Sequence, residues 1–273
     1  MDIVDSHVHV GTAGVPLGPA DPAASFALWR RRAAAVGIYR AVLMAAPVGA
    51  YAAANRTVAN LAGRAPRRWL WYVFVNATED RGRVGTIVAE AHGRGACGIK
   101  VHWSDGPATD EVGLAAERHQ MPVLFDPGGD VEQVVWLAER HPGVAWIVPH
   151  LSSFSDDWRA QSRLIGALAM VPNIFTDTSG VRYFDLLTEA VARAGARKVL
   201  YGSDGPYLHP APELAKIFAL DLPPAERALI LGGNVLQLTG PARRTGGRRT
   251  AFAGNGRSRT DQSGTDRRNT AWL

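Results

Sequence analysis

Along the first 240 residues, short apolar runs alternate with longer stretches in which apolar and polar positions are mixed. The runs lie at 2–10, 41–45, 69–75, 97–103, 122–126, 145–150, 173–178 and 198–204. They are compact, and several are aromatic or β-branched, as in Trp69-Leu70-Trp71-Tyr72-Val73. That pattern suits strands buried on both faces. Between them, stretches at 24–36, 51–63, 84–94, 110–119, 131–141, 157–169, 184–195, 212–220 and 223–231 read as helices. Eight strand–helix units in about 240 residues predict an α/β fold, a (β/α)8 TIM barrel, with a doubly wound open sheet as the alternative.

Length and composition agree. A chain of 273 residues, 47% hydrophobic and 20% charged, can bury a large core. Its single cysteine, Cys97, excludes an intrachain disulfide framework and a multi-cysteine zinc site. No run of 18 apolar residues occurs, and the start MDIVDSHVHV lacks a basic, then apolar, leader. A cytoplasmic protein without membrane attachment is expected. The net charge of +5 is misleading as a whole-chain value. Residues 241–273 hold eight arginines and two aspartates, whereas 1–240 hold 22 basic and 23 acidic residues. The expectation is a barrel domain over 1–240 with no affinity for nucleic acid. A disordered Arg/Gly-rich tail over 241–273 follows it, and a nucleic-acid-binding arm is the sharper alternative reading of that tail.

Ionisable groups collect at the ends of the predicted strands: Asp5, His7 and His9; Lys100 and His102; Asp126; His150; Asp177; Asp204. In such barrels catalytic groups lie at the C-terminal strand ends. Side chains alternate along a strand, so Asp5, His7 and His9 are expected on one face, as are Lys100 and His102. Two imidazoles spaced this way can chelate a divalent ion. Barrel closure brings Asp204, on the last strand, next to the first.

Taken in order, several segments carry a family resemblance: Asp5-Ser6-His7-Val8-His9, Gly98-Ile99-Lys100-Val101-His102, Pro149-His150-Leu151, Asp177-Thr178-Ser179-Gly180, Tyr201-Gly202-Ser203-Asp204-Gly205-Pro206 and Ile230-Leu231-Gly232-Gly233-Asn234. Over about residues 2–240 the chain resembles the amidohydrolase superfamily, in its amidohydrolase-related branch. The resemblance implies a divalent metal, zinc or else manganese, bound by His7 and His9. Asp204 would be a ligand or the general base, and His150 would orient water or polarise substrate. Relatives usually have a histidine at the end of strand 5, where this chain has Asp126; an aspartate there can serve as an oxygen ligand and favours harder ions such as manganese. Lys100, His102 and Arg182 are candidate substrate-binding residues. For Lys100 the competing reading is an ion pair with Asp5 or Asp126. Tyr207 and His209 are candidates to line the pocket, with Trp103 at its mouth. The expected activity is metal-dependent hydrolysis of a small-molecule ester, lactone or amide. A non-oxidative decarboxylase, a metal-free lactonase and a non-catalytic barrel are the alternatives, and homo-oligomers are compatible. His92 and His141 read as solvated surface histidines, His119 as a helix-end group, Cys97 as a small hydrophobe and the tryptophans mostly as core.

Overall fold

In the computed structural model, residues 2–12, 19–154 and 157–240 are described; the predicted tail at 241–273 lies outside them. Strands and helices alternate as β1 (Val4–Val10), α1 (Pro22–Ala34), β2 (Arg40–Ala45), α2 (Ala52–Gly63), β3 (Trp69–Phe74), α3 (Val84–Gly93), β4 (Gly98–His102) and α4 (Asp110–His119). They continue with β5 (Val123–Asp126), α5 (Val131–Arg140), β6 (Trp146–Val148), α6 (Trp158–Met170), β7 (Ile174–Asp177), α7 (Phe184–Ala194), β8 (Val199–Leu200) and α8 (Pro210–Ala219). Two short helices follow, α9 (Pro224–Ala228) and α10 (Asn234–Thr239). All strands pair in parallel, in the order β1 to β8. This is a TIM barrel.

The seam between β8 and β1 is made by few bonds. Ser6 N–H donates to Tyr201 O (2.9 Å) and His9 N–H to Gly205 O (2.7 Å). The Asp5 carboxylate adds side-chain bonds, accepting from Ser203 N–H (2.8 Å) and Ser203 Oγ (2.5 Å). The eighth predicted strand therefore keeps ladder form over only two residues and then continues as an irregular segment to Asp204.

Each wall of the barrel is apolar on both sides, as parallel strands require. Val4, Val42, Met44, Tyr72, Leu124, Ile147, Phe175 and Leu200 pack together in the barrel interior. Leu43, Trp71, Val73, Ile99, Val123 and Ile174 pack outward under the helices. Helix starts follow from local chemistry. Asp21 caps α1 by accepting from Ala24 N–H (2.8 Å), and Pro22 is its first residue. Asp157 caps α6 by accepting from the N–H groups of Arg159 and Ala160. No described helix is long and apolar enough to cross a membrane.

Three sequence expectations change. Asp5 does not share a face with His7 and His9. The β1–β2 register shifts between Asp5 and Val8, a bulge that spends one extra residue of β1. It leaves Asp5 facing Ser203 and the Trp29 indole (3.3 Å) instead of the barrel mouth. His141 is not a surface residue: it is buried against Gly113 and bonds Asp110 (3.1 Å). Among the described tryptophans, Trp29, Trp69, Trp71 and Trp146 are buried and Trp103 is exposed, both as expected, but Trp136 and Trp158 are exposed and not part of the core. Cys97 does pack as a buried hydrophobe beside the carbonyl of Trp71.

Candidate active site at the C-terminal strand ends

His7 and His9 follow the bulge on β1 and both point into the mouth of the barrel. His7 Nδ1 lies 2.9 Å from Asp177 Oδ2, and His9 Nδ1 lies 2.7 Å from Ala45 O. A carboxylate and a carbonyl can only accept, so each Nδ1 carries the proton. Each Nε2 is then left with a lone pair in the neutral ring. These two Nε2 atoms are 3.1 Å apart, and Asp204 Oδ1 is 3.5 Å from one and 3.4 Å from the other. Among the described residues, His7, His9 and Asp204 form the one group of histidine, cysteine or acidic side chains able to hold a metal ion.

Three acceptors converging without a donor repel one another unless a cation lies among them. Ligands at about 2.0–2.1 Å from a tetrahedral zinc are about 3.3 Å apart. The observed separations match that edge length, so the residues present fit a divalent ion. The fixed tautomers also match the usual arrangement in which a ligating histidine donates its other N–H to a carboxylate or carbonyl.

Asp177 is the hub beneath this group. Besides His7 it accepts from Ser179 Oγ (2.5 Å), Ser179 N–H (3.0 Å) and His150 N–H (3.4 Å). Burial pushes its pKa up, but the adjacent His7 and these bonds outweigh burial and hold the carboxyl below its ordinary range. Gly202 passes so close that a Cβ there would sit 3.0 Å from His7 Cβ and 3.2 Å from Asp177 Cγ. A side chain at 202 would part the pair.

His150 is buried, with Nδ1 2.7 Å from Ser179 O and the Phe154 ring edge-on to it. Its Nδ1 therefore also carries the proton, and its Nε2 is the free acceptor. Both His150 (φ 59°) and Asp204 (φ 54°) adopt the left-handed conformation, as do Leu151 and Ser152 beside His150. For residues with a side chain that costs on the order of 1 kcal/mol each. Burial raises the Asp204 pKa; His7, His150 and Lys100 pull it back only in part. Burial lowers that of His9, with His7 and Lys100 adding to the effect.

The opposite wall, β4 and β5, carries the other predicted residues. Asp126 stands outside the three-residue group: Oδ1 accepts from Gly128 N–H (2.9 Å), and Oδ2 is 3.5 Å from His102 Nε2. His102 Nδ1 accepts from Ser104 N–H (3.2 Å). Burial, then the charge of Lys100, lowers the His102 pKa to about 4. Lys100 is fully buried and pairs with neither Asp5 nor Asp126. Burial lowers its pKa against the pull of Asp126, Asp204 and Asp177. Trp103 lies exposed at the mouth, packed over Gly128.

Tyr207 folds back over His9, ring centroids 5.4 Å apart, and His209 caps α8. Arg182 is exposed and lines a shallow cavity of about 420 Å³ with Trp158, Tyr183 and Phe184, a cavity that includes none of the buried histidines. Residue reasoning gave Asp177 and Ser179 no role. Their position at the end of β7 was the available signal.

Comparison with known proteins agrees with this architecture. The family profile described as Amidohydrolase matches residues 4–238. Among solved structures, 2,6-dihydroxybenzoate decarboxylase from Rhizobium superposes with a TM-score of 0.67 at 15% identity, covering 88% of this chain and 98% of that one. An amidohydrolase from Burkholderia multivorans with bound Zn gives 0.69 at 17%, covering 88% and 99%. An amidohydrolase II gives 0.68 at 20%, covering 87% and 99%. At these identities the likeness shows the fold. No curated protein matches the chain in sequence.

Proposed function

The chain belongs to the amidohydrolase family, and from that premise we propose that it hydrolyses an ester, lactone or amide bond in a small molecule. A divalent metal, zinc or else manganese, would be held by His7, His9 and Asp204. The observation that carries this reading is the meeting of two imidazole lone pairs and a carboxylate oxygen at 3.1–3.5 Å with no donor among them.

Bound there, a divalent ion supplies Lewis acidity, lowering the pKa of water toward neutrality and polarising a carbonyl. The chain's own residues do the rest. Asp204 is the proton acceptor: burial has raised its pKa toward the range a general base needs. His150, with Nδ1–H held by the Ser179 carbonyl, accepts a hydrogen bond at Nε2 and so orients the attacking water. Water oxygen bonds to the carbonyl carbon and the bond to the leaving oxygen or nitrogen breaks. The proton taken up by Asp204 passes to the leaving group. Asp177 keeps His7 in the tautomer that leaves Nε2 free.

Elemental analysis of protein purified without chelators tests the reading. About one metal per chain is expected, lost in His7→Ala together with hydrolysis of any ester, lactone or amide found by screening. Full activity in His7→Ala would overturn the mechanism. Release of carbon dioxide from an acid, with no ester, lactone or amide cleaved, would replace the hydrolase reading with a lyase one.

A further inference from the structure

We propose that Lys100 anchors a carboxylate on the non-reacting part of the substrate, so that the substrate class is a small ester, lactone or amide bearing a separate carboxylate. This rests on the hydrolase reading above.

The chain has three lysines against 27 arginines. Most of the described arginines are exposed, whereas all three lysines sit in buried or half-buried sites. Two of the three are saturated. Lys198 Nζ donates to the carbonyls of Val171 (2.8 Å), Pro172 (2.8 Å) and Ile174 (2.9 Å). Lys216 Nζ donates to the carbonyls of Thr178 (2.9 Å) and Val181 (3.1 Å) and to Glu213 (2.6 Å). Lys100 is the most deeply buried of them, at 1% exposure. Its ammonium makes no hydrogen bond or ion pair with any described residue. An ammonium buried without partners is costly, and folds rarely retain one that only packs.

Of the carboxylates that act on it, Asp204 is turned to His7 and His9, 3.5 and 3.4 Å away, and the others are bound by donors. Asp177 is bound by His7 and Ser179, Asp126 by Gly128 N–H and His102, and Asp5 by Ser203 and Trp29. Lys100 therefore has three donors open toward the barrel mouth. It lies on β4, paired in register with Phe74 and Leu124, two residues deeper than His102 on the same face. In an eight-stranded barrel β4 is diametrically opposite β8, which delivers Asp204. A substrate spanning the mouth puts its reacting bond at the β1/β8 wall and its other end at Lys100. One cation, with His102 kept neutral beside it, suits a single negative charge better than a phosphate dianion.

Calorimetric titration of benzoate and of its neutral isostere benzamide into wild type, Lys100→Met and Lys100→Gln tests this. Metal content and melting temperature are recorded for each protein. Wild type is expected to bind benzoate at least tenfold tighter than benzamide. Both variants should lose that preference while keeping wild-type metal content and melting no lower than wild type. The anchor is overturned if wild type binds the two equally or binds neither, or if the variants keep the preference. It is also overturned if both variants lose structure, since Lys100 is then a structural counter-ion. Metal content separates the two proposals. Metal without the preference leaves the hydrolase reading standing alone, and the preference without metal leaves the anchor but removes the metal-dependent hydrolase.

Discussion

Where the strands begin, Asn173 Nδ2 lies within 3.2 Å of the carbonyls of Ala138, His141 and Val144, and Asn234 Nδ2 bridges those of Ala196 and Val199. Lys198 binds three more carbonyls at the same end. Where the strands finish, His7 Nε2, His9 Nε2 and Asp204 Oδ1 face one another without a donor, and the Lys100 ammonium makes no hydrogen bond with any described residue. The two ends bury polar groups equally well, so burial does not distinguish them. The difference is whether the valences are closed by the chain itself. At the first end side chains staple loops to strands. At the second they are held by a lower tier, Asp177, Ser179 and Ala45, and left open upward. Left-handed backbone at His150 and Asp204 belongs to the open end too. An open valence and a strained φ both cost stability, and together they mark the end built to take a ligand.

Substitution at the two ends should separate rate from stability. Asp204→Asn keeps the shape but cannot accept a proton, so turnover should fall roughly 10²–10⁴-fold. In metal-free protein its melting temperature should change little, because no closed hydrogen bond is lost. Asn173→Ala should do the reverse. It leaves buried carbonyls without a donor, costing about 1–3 kcal/mol. In a domain of this size that lowers Tm by about 2–4 °C per kcal/mol. Metal content and turnover per folded molecule should stay at wild-type values. Thermal melts alongside kinetics read both variants, and an Asn173→Ala that impaired turnover with Tm unchanged would break the contrast.

The barrel was legible because its signal is redundant. Each buried strand reads as an apolar run, and any one could be misjudged without losing the alternation. The site was legible only as a set of strand-end groups, because its geometry depends on single-residue events that leave no period. The bulge that separates Asp5 from His7 falls within Asp5-Ser6-His7-Val8-His9, a segment too polar to show a register shift. Strand alternation put Asp5 with the histidines, and the fold uses it to close the seam. Asp177 was visible as an acid at a strand end, but only the folded distance to His7 shows which proton it holds. His141 looked like a helix-end surface residue because nothing local marks Gly113, on another helix, as the surface that covers it.

The effect confined to acid pH concerns His102, on the open end but outside the three-residue group. Its ring is held neutral by burial and by Lys100, with a pKa near 4 against an unfolded value of about 6.5. Between those pH values the unfolded chain binds more protons than the fold at this position. Stability is therefore lost as pH falls from about 6.5 toward 4, by up to about 3 kcal/mol before allowing for the solvent that reaches the ring. His102→Gln removes the titrating group and should flatten that part of a melting-temperature profile, with no change at pH 8. Because Lys100 is the second cause of the lowering, Lys100→Met should let the ring protonate at higher pH in the fold and so reduce the same acid loss. A profile identical in wild type and both variants would mean that His102 is solvated and that Lys100 places no charge beside it, which would remove the ammonium from the open end altogether.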